Sequence, residues 1–289
     1  MNPAILSGIL GNNRFLCRTN PTMAAAVADG GSVLDREYIQ RCARQMIDLG
    51  IWGNLGAWWD TSLTKIRNSG GVDYISKGYD LTQNNYNIIQ ETETYQPILS
   101  ENSFLFNGGR QGLIDGDNLD GLTELTVTFY IKLNTVADGG TDPTSVMLFV
   151  AKTADTATSL GNTDWTIYYD RRTAHQFVQF AIVKNSTTFS ANTINISEFS
   201  TTTYKFVVFR WKASITTQSV YINEVLKSTK NTAVDAMSTT TQTLKLGGVA
   251  TSTIRTLDGY IGDIRIFTKY LSTAQTTAIF NATKTRYGF

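Results

Sequence analysis

The stretch that decides the fold is LDGYIGDIRIFTKYLSTAQTTAIFNATKTRYGF, residues 257–289. Its first part alternates between apolar and charged side chains. Ile264 and Ile266 point to one side of an extended chain. Asp263 and Arg265 point to the other. Strict alternation of this kind is typical of a strand with one buried face, so the sequence predicts a sheet strand close to the end of the chain.

A short helix is predicted directly after this strand. Ser272 can act as the N-cap, and Gln275 three residues later completes the S-x-x-Q pattern of a capping box. Ala274, Ala278 and Ile279 recur at three- and four-residue steps and form a narrow apolar stripe. We therefore expect the helix to fold back onto the sheet.

The same two-residue period runs through most of the chain after residue 51. In LTVTFYIKL, residues 125–133, every second residue is apolar, which predicts one buried face and one face that is at least partly wet. Many short strands with polar loops and without interleaved helices indicate an antiparallel sandwich or barrel. The other predicted strands are Val146–Ala151, Trp165–Tyr169, Phe177–Lys184, Tyr204–Lys212, Ser219–Asn223, Thr243–Gly247 and Gly259–Phe267.

The first fifty residues follow a different pattern and contain one predicted helix, residues 35–49. Asp35 is a suitable N-cap, and Gly50 suits the position after the last turn. We therefore divide the chain into an N-terminal arm, residues 1–50, and a β-sandwich, residues 51–289. One apolar stripe of the helix is available for assembly with a partner. It consists of Tyr38, Ile39, Cys42 and Met46.

Composition excludes several function classes. Lys and Arg number 25 against 24 Asp and Glu, and this near-neutral balance gives no long-range field to attract nucleic acid or anionic membrane. The start of the chain lacks a basic segment, so we expect no signal peptide and synthesis in a cytoplasm. Cys17 and Cys42 are too few for a disulfide scaffold. A single bridge and two free thiols both stay open, with free thiols favoured.

Six pieces of sequence occur in an order that resembles a known superfamily. They are LGAWWDTS, YQPIL followed by FLFNGG, LTELTVTFYIKLN, YKFVVFRWKASITTQSVYINEVL, TLKLGG and GYIGDIRIFTKYLSTAQTTAIFNA. Together they resemble the concanavalin A-like lectin/glucanase superfamily, in its laminin-G-like branch, over roughly residues 55–289. The resemblance implies a jelly roll of two packed antiparallel sheets.

The N-terminal extension carries a second resemblance. MAAAVADGGSVLDREYIQ, placed ahead of a jelly roll, is similar to segments of tailed-phage virion proteins. This similarity implies a non-enzymatic structural protein of the virion, either a capsid decoration or head-fibre component or a tail-associated one. Such a protein is located in the virion and forms homo-oligomers. The arm then anchors it to other virion proteins, because a helix that cannot bury its own stripe needs a partner.

The alternative hypothesis is a carbohydrate-binding module that recognises host surface glycans. Exposed aromatic rings stack on sugars, so the candidate contacts are Trp58, Trp59, Tyr168 and Tyr169. Large aromatic residues are, however, more often part of a core than of a binding surface. Alternation along a strand predicts that about half of these rings point inward.

A polysaccharide-degrading enzyme is the third hypothesis. Such an enzyme needs two carboxyl groups about 5–10 Å apart, and the E-x-D-x-E strand of the related glucanases is absent from the sequence. His175, the single histidine, lies in a predicted loop. We therefore expect no catalytic residue and no cofactor.

One acidic loop is a candidate for calcium. Asp115, Asp117 and Asp120 lie in IDGDNLDG, and several carboxylate oxygens close together suit Ca²⁺. An Asx-rich turn that bonds to its own backbone explains the same residues equally well.

Overall fold

The structure is a computed structural model with three helices and eighteen strands in its described residues, which are 21–109, 112–114, 119–136, 146–153, 163–173, 175–184, 189–231, 234–239, 242–248 and 256–289. The helices are α1 (residues 21–28), α2 (Arg36–Asp48) and α3 (Thr273–Thr283). No helix within these ranges is long and apolar enough to cross a lipid bilayer.

The strands are mostly short. They are β1 (Ser32–Val33), β2 (Leu55–Trp59), β3 (Leu63–Ser69), β4 (Val72–Gly78), β5 (Ile88–Ile89), β6 (Ile98–Ser100), β7 (Ser103–Asn107), β8 (Gly112–Ile114), β9 (Glu124–Leu133), β10 (Val146–Thr153), β11 (Thr163–Asp170), β12 (Phe177–Val183), β13 (Phe189–Asn195), β14 (Lys205–Lys212), β15 (Thr217–Ile222), β16 (Val225–Asn231), β17 (Leu244–Leu246) and β18 (Asp258–Phe267).

The strands form two stacked antiparallel sheets. Sheet A has the order β16–β15–β14–β9–β18, and β18 continues on its other side to β7 and β2. Sheet B has the order β13–β12–β11–β10–β17–β8–β5–β4–β3–β1. β6 joins the two by pairing with β4 and β7. The prediction of a mainly β, antiparallel sandwich of the jelly-roll type is confirmed.

The main core fills the space between the sheets. Every second residue of β9, from Leu125 to Leu133, points into it, as the alternation predicts. The ring of Phe180 on β12 meets the ring of Phe209 on β14 across the sandwich, with 5.5 Å between centroids. The two sheets therefore share one apolar layer, which is the largest favourable contribution to folding.

The second face of β9 was predicted to be at least partly wet, and this prediction is wrong for three of its four side chains. Thr126, Thr128 and Tyr130 on β9 are buried, because the segment after β18 folds over them. Thr126 Oγ1 donates to the carbonyl of Lys269 at 2.7 Å. Tyr130 Oη lies 2.6 Å from Thr283 Oγ1 on α3. The outer face of β9 is thus largely covered, whereas β16 at the edge of sheet A is mostly exposed.

The predicted helix caps are confirmed. Gln275 N donates to Ser272 Oγ at 3.2 Å, and Ser272 N donates to Gln275 Oε1 at 2.9 Å, which completes the capping box of α3. At α2, Tyr38 N donates to Asp35 Oδ1 at 2.9 Å. Gly50 has φ of 67°, the left-handed conformation expected just past a helix end. Local capping chemistry therefore sets three of the four ends of α2 and α3.

The apolar stripe of α3 differs in part from the prediction. Ile279 is buried as expected, but Ala274 is exposed and Ala278 is only half-buried. The face of α3 that packs on sheet A is therefore shifted from the predicted stripe toward the last turn of the helix. The remaining buried residues of α3 are Thr276, Phe280 and Thr283.

Helix α2 packs on the outer face of sheet A, and this corrects the prediction of a free assembly stripe. Its buried residues join a second core cluster with Trp58 and Tyr130 of the sandwich. Gln45 Nε2 also donates to the carbonyl of Ala278 on α3. The stripe is 0–2% exposed, so the chain buries it without a partner subunit; its members are Tyr38, Ile39, Cys42 and Met46. Residues 36–48 thus share one core with residues 51–289.

Cys42 is a free thiol inside this cluster, and burial raises its pKa to about 11. A thiol of such high pKa holds its proton at neutral pH, so Cys42 serves as a small apolar residue. Cys17 lies outside the described residues.

A charged pair is buried where α2 covers β18. Arg265 donates through Nε to Asp263 Oδ1 at 2.9 Å and through Nη2 to Asp263 Oδ2 at 2.8 Å. Trp58 Nε1 donates to the same carboxylate at 2.7 Å, and its ring lies 4.7 Å from the guanidinium carbon. Met46 Sδ of α2 lies 3.8 Å from Arg265 Nη1. Nε and Nη2 of Arg265 and both oxygens of Asp263 therefore have strong partners, and Nη1 faces the weak acceptor Met46 Sδ.

The packing of α2 leads to a stability prediction. Met46→Ala is expected to lower the free energy of unfolding by about 2–5 kcal/mol, because it leaves a cavity beside Arg265. Arg36→Ala, at an exposed position of the same helix, is the control and should change it by less than about 0.5 kcal/mol. Urea denaturation measures both. Equal midpoints for the two variants would contradict the packing of α2 on the sandwich.

The buried pair leads to a second prediction. Asp263→Asn leaves the Arg265 charge uncompensated and is expected to cost about 3–5 kcal/mol. The double variant Asp263→Asn/Arg265→Met removes that charge and should be more stable than Asp263→Asn alone. Urea denaturation of the two variants gives the comparison. A double variant less stable than the single one would show that the charge on Arg265 is not the cause of the loss.

Candidate functional site

Two tight turns at one end of sheet A have an unusual backbone. The β6–β7 turn contains Glu101 and Asn102, with φ of 52° and 60°. The β15–β16 turn contains Asn223 and Glu224, with φ of 50° and 68°. Type I′ hairpin turns have positive φ at both central positions, where glycine and asparagine are favoured, so the two glutamates are the unusual residues here. Backbone strain of this kind is often kept where side chains serve a function.

A groove lies between these turns and the C-terminal tail. Its volume is about 680 Å³. Exposed hydroxyl and amide side chains form its rim, and buried rings form its floor. We call it the C-terminal groove; its lining consists of Glu101, Asn102, Lys132, Thr202, Thr203, Tyr204, Lys205, Asn223, Arg286, Tyr287, Gly288 and Phe289.

Aromatic rings make the floor rigid. Tyr287 stacks on Tyr130 with 3.9 Å between centroids. Tyr204 meets Tyr287 edge-on at 5.1 Å and Tyr260 at 6.2 Å. The ring of Phe289, at the open end, is 41% exposed. Rings held by several neighbours cost little entropy when a ligand binds against them.

An ion pair between Lys132 and Glu101 occupies one wall of the groove. Lys132 Nζ lies 4.1 Å from the centroid of Tyr260 and 5.0 Å from that of Tyr204, so two aromatic rings also stabilise the ammonium. Tyr204 Oη donates to Glu101 Oε2 at 3.5 Å. Burial raises the pKa of Tyr204, which keeps its hydroxyl protonated.

Arg286 holds the tail that forms the opposite wall. Its Nη1 donates to Asp35 Oδ2 at 2.8 Å, and its Nη2 donates to Asp60 Oδ1 at 3.2 Å. Nη2 also donates to Ser62 Oγ at 3.0 Å, and the guanidinium lies over the ring of Tyr38 at 4.2 Å. Burial raises the pKa of Asp60, and Arg286 opposes that rise. One arginine thus ties the tail to α2 and to the β2–β3 turn.

The two tryptophans predicted to contact glycan are both fully buried, so that prediction is wrong. They point to opposite faces of sheet A, as alternation requires. Trp59 faces the sandwich core and donates through Nε1 to the carbonyl of Tyr86 at 2.6 Å. Trp58 faces outward, but α2 covers it. Neither ring is accessible to a sugar.

The two predicted tyrosines of β11 have different settings. Tyr169 is fully buried and donates to the carbonyl of Val136 at 3.0 Å, so its assignment as a glycan contact is also wrong. Tyr168 points to the other face of sheet B, between Leu148 and Gln179 of the neighbouring strands, and is partly exposed. Tyr168 is therefore the one predicted glycan contact that the structure leaves accessible.

Only one of the three predicted calcium ligands lies within the described residues. Asp115 and Asp117 lie outside the described residues. Asp120 forms an ion pair with the buried Lys152, with 2.7 Å between Nζ and Oδ1. Within the described ranges, no three acidic, histidine or cysteine side chains come together as metal ligands. Calcium binding at this loop stays a prediction.

His175 lies in the loop between β11 and β12, as predicted. Its Nδ1 is 2.7 Å from Asp170 Oδ2, and its ring stacks on Phe177 at 5.4 Å. Burial alone would raise the pKa of Asp170, but hydrogen bonds from Arg172 and His175 lower it. These contacts fix the loop against the end of β11.

Sequence reasoning missed the C-terminal groove. From the sequence, Tyr204 is predicted to be the first residue of a strand, and residues 286–289 are predicted to be the end of a helix. The available signal was the dipeptide Asn223–Glu224 between two alternating segments, because a type I′ hairpin there places positive φ on a glutamate.

The family of the chain follows from a model described as the concanavalin A-like lectin/glucanases superfamily, which matches residues 106–276. The chain belongs to this superfamily. The match covers more than half of the chain and includes six of the twelve lining positions, Lys132, Thr202, Thr203, Tyr204, Lys205 and Asn223. The tail wall, residues 286–289, and the Glu101 turn lie outside it. Half of the groove is therefore built on the family fold and half on parts added to it.

Solved structures give the same fold. The binding domain of botulinum neurotoxin serotype D, free and in complex with N-acetylneuraminic acid, matches with a TM-score of 0.53 and 14% identity over 81% of this chain and 52% of that chain. The receptor binding domain of a botulinum neurotoxin C/D mosaic matches similarly, with a TM-score of 0.53 and 15% identity over 80% and 52%. The chain spans about half the length of these domains. No curated protein sequence matches it.

The strained turn leads to a prediction. Glu224→Gly is expected to raise the free energy of unfolding by about 0.5–1 kcal/mol, because glycine adopts φ of 68° without steric cost. Lys227→Gly, three residues away in the following strand, is the control and should lower it by a similar amount. Thermal unfolding followed by circular dichroism measures both. A destabilised Glu224→Gly variant would mean that the turn carries no strain.

Proposed function

We propose that this lectin-like jelly roll is a carbohydrate-binding module without catalytic activity, and that it binds glycans in the C-terminal groove. The observation that carries the proposal is the composition of that groove. It combines an exposed ring, Phe289, with hydroxyl, amide and ammonium groups on a rigid aromatic floor. Sites for small polar ligands typically join apolar surface to a few fixed polar groups.

The size of the groove is also consistent with binding of a saccharide. Its volume of about 680 Å³ lies within the usual range for small-ligand sites. Thr202 and Thr203 project from its rim, where their hydroxyls can exchange hydrogen bonds with sugar hydroxyls. Both residues lie in a loop in which their hydroxyls already contact the Ser200 hydroxyl. A ligand therefore meets a loop that is held in place.

The solved structures support the glycan class only at the level of the fold. The serotype D binding domain takes N-acetylneuraminic acid, and it shares the jelly roll with this chain. At 14% identity over about half of that domain, the comparison does not transfer a binding residue. The proposal therefore rests on the groove, and the relatives make a sugar a reasonable first probe.

The carboxylates of the groove favour binding over hydrolysis. Glycosidases use two carboxyl groups on either side of the scissile bond. Among the described residues that line the groove, Glu101 is the one acidic side chain, and its ion pair with Lys132 occupies it. A lone, neutralised carboxylate fits a binding surface better than a catalytic pair.

A role as a phage structural protein stays a separate proposal from the sequence. Its location in the virion, its other virion partners and its oligomeric state rest on the N-terminal resemblance alone. The burial of the α2 stripe removes the reason to make that helix an anchor. The two proposals are compatible, since a virion protein can bind host glycans. Detection of the chain by mass spectrometry in purified phage particles tests the structural role.

A binding experiment tests the proposed function. On a glycan array, the full chain is expected to bind, and Phe289→Ala should weaken the binding about tenfold because it removes the exposed ring. Tyr204→Phe keeps the floor packed and should weaken it less. Tyr168→Ala is the matched control, since it removes a partly exposed ring on the other sheet.

Two outcomes would change or remove the proposal. Loss of binding in Tyr168→Ala alone would move the site to the face of sheet B. An array on which the full chain binds no glycan would remove the proposed function.

A further inference from the structure

We propose that the sandwich contains an internal water site, in which Ser190, Asn192, Trp211 and Gln218 bind one or more water molecules. The site lies between β13, the edge strand of sheet B, and the strands β14 and β15 of sheet A. It is separate from the C-terminal groove, because the groove is at the other end of the β14–β15 pair. It does not depend on the proposed function.

Strand register turns the four side chains toward the interior of the sandwich. Gln218 on β15 lies directly opposite Trp211 on β14, which is a core residue, so the two point to the same face. On β13, Ser190 and Asn192 lie opposite core residues of β12. All four side chains are 0–4% exposed. Polar groups of both sheets are thus buried between them at one edge of the core.

One hydrogen bond already joins the two sheets at this place. Gln218 Nε2 donates to the carbonyl of Ser190 at 3.0 Å. This bond fixes the orientation of the Gln218 amide. Because Oε1 is bonded to the same carbon as Nε2, it is also held close to Ser190.

Four buried polar atoms at this edge have no hydrogen-bond partner within the part of the chain that the structure describes. They are Gln218 Oε1, Ser190 Oγ, Asn192 Nδ2 and Trp211 Nε1. A buried polar group without a partner is costly, and nearly all such groups in proteins are bonded to protein or to ordered water. Four of them on neighbouring strands therefore point to a bound species that the side chains share.

The chemistry of the four atoms fits water. Gln218 Oε1 can only accept a hydrogen bond, Asn192 Nδ2 and Trp211 Nε1 can only donate one, and the Ser190 hydroxyl can do both. None of these groups is charged, so the site offers no counter-ion to an anion or a cation. A water molecule donates and accepts, and buried water typically makes about three hydrogen bonds to groups that otherwise have no partner.

The edge strands close the site from bulk solvent. Ser228 Oγ on β16 donates to Asn192 Oδ1 at 2.5 Å, and Lys230 Nζ donates to the carbonyl of Ala191 at 2.6 Å. Both bonds connect the edge of sheet A to the edge of sheet B. The first also uses the oxygen of the Asn192 amide, while Nδ2 of the same amide stays buried. Water behind these contacts is therefore internal water.

A crystal structure of the full chain, at a resolution that shows individual water molecules, tests the site directly. We expect at least one water molecule bonded to Gln218 Oε1 and to one or more of the other three side chains. A direct bond between Trp211 Nε1 and Gln218 Oε1, with no water beside Ser190, would overturn the proposal. An interior without solvent density at the four atoms would also overturn it.

Ser190→Ala tests the site in solution, because it removes the hydroxyl and keeps the carbonyl that Gln218 uses. If the hydroxyl binds water, its removal lowers the midpoint of urea unfolding. If the hydroxyl is buried without any partner, its removal leaves the midpoint unchanged or raises it, and the proposal fails. Ser197→Ala, at an exposed hydroxyl shortly after β13, is the control and should leave the midpoint unchanged.

A double-mutant cycle shows whether the two sheets share the water. Gln218→Met removes the acceptor and keeps a side chain of similar length. In this background, Ser190→Ala should lower the midpoint less than it does in the native chain, because the shared water has already lost its acceptor. Equal shifts in both backgrounds would contradict a shared water. If Gln218→Met does not fold, the crystal structure of the native chain still decides the proposal.

Discussion

The fold depends on how the buried charge of Arg265 is compensated and shielded from water. This arginine lies on the central strand β18 and is fully buried, so its guanidinium needs a partner and a cover that excludes water. Asp263 provides the partner from the same strand, and its φ of 43° belongs to a local irregularity of β18. Trp58 and Met46 provide the cover. Helix α2 is therefore part of the sandwich and not an appendage to it.

The cover of sheet A also builds the C-terminal groove. α2 and α3 lie side by side on the outer face of the sheet, and the tail after α3 turns back toward the N-cap of α2. Arg286 holds the tail in this position through its ion pairs with Asp35 and Asp60. The tail then faces the two strained turns, and the space between them is the groove. The same contacts that close the fold thus position the proposed binding surface, and the family match includes only part of them.

Local signals in the sequence predicted much of the architecture. The alternation of residues 125–133 gave the direction of the core, and the Asp35 cap and the Ser272–Gln275 capping box gave helix ends that the structure confirms. These features succeed because they depend on residues close together in the chain.

Features that depend on distant parts of the chain were not predictable in this way. Trp58 points to the outer face of the sheet, as alternation predicts. Its exposure, however, depends on whether a second layer covers that face, and here α2, from a separate part of the sequence, covers it. The groove joins turns and tail that are up to 188 residues apart, from Glu101 to Phe289. The resemblance predicted the jelly roll correctly, whereas the site required the tertiary arrangement.

The most direct test of the central claim, that the C-terminal groove is the ligand surface, is chemical-shift mapping by NMR with a short oligosaccharide that binds on the glycan array, added to the isotope-labelled full chain. We expect the largest backbone amide shifts at Lys132, Tyr204 and Asn223, with little change on β11. Shifts centred on Tyr168 and Gln179, with the groove amides unmoved, would contradict it.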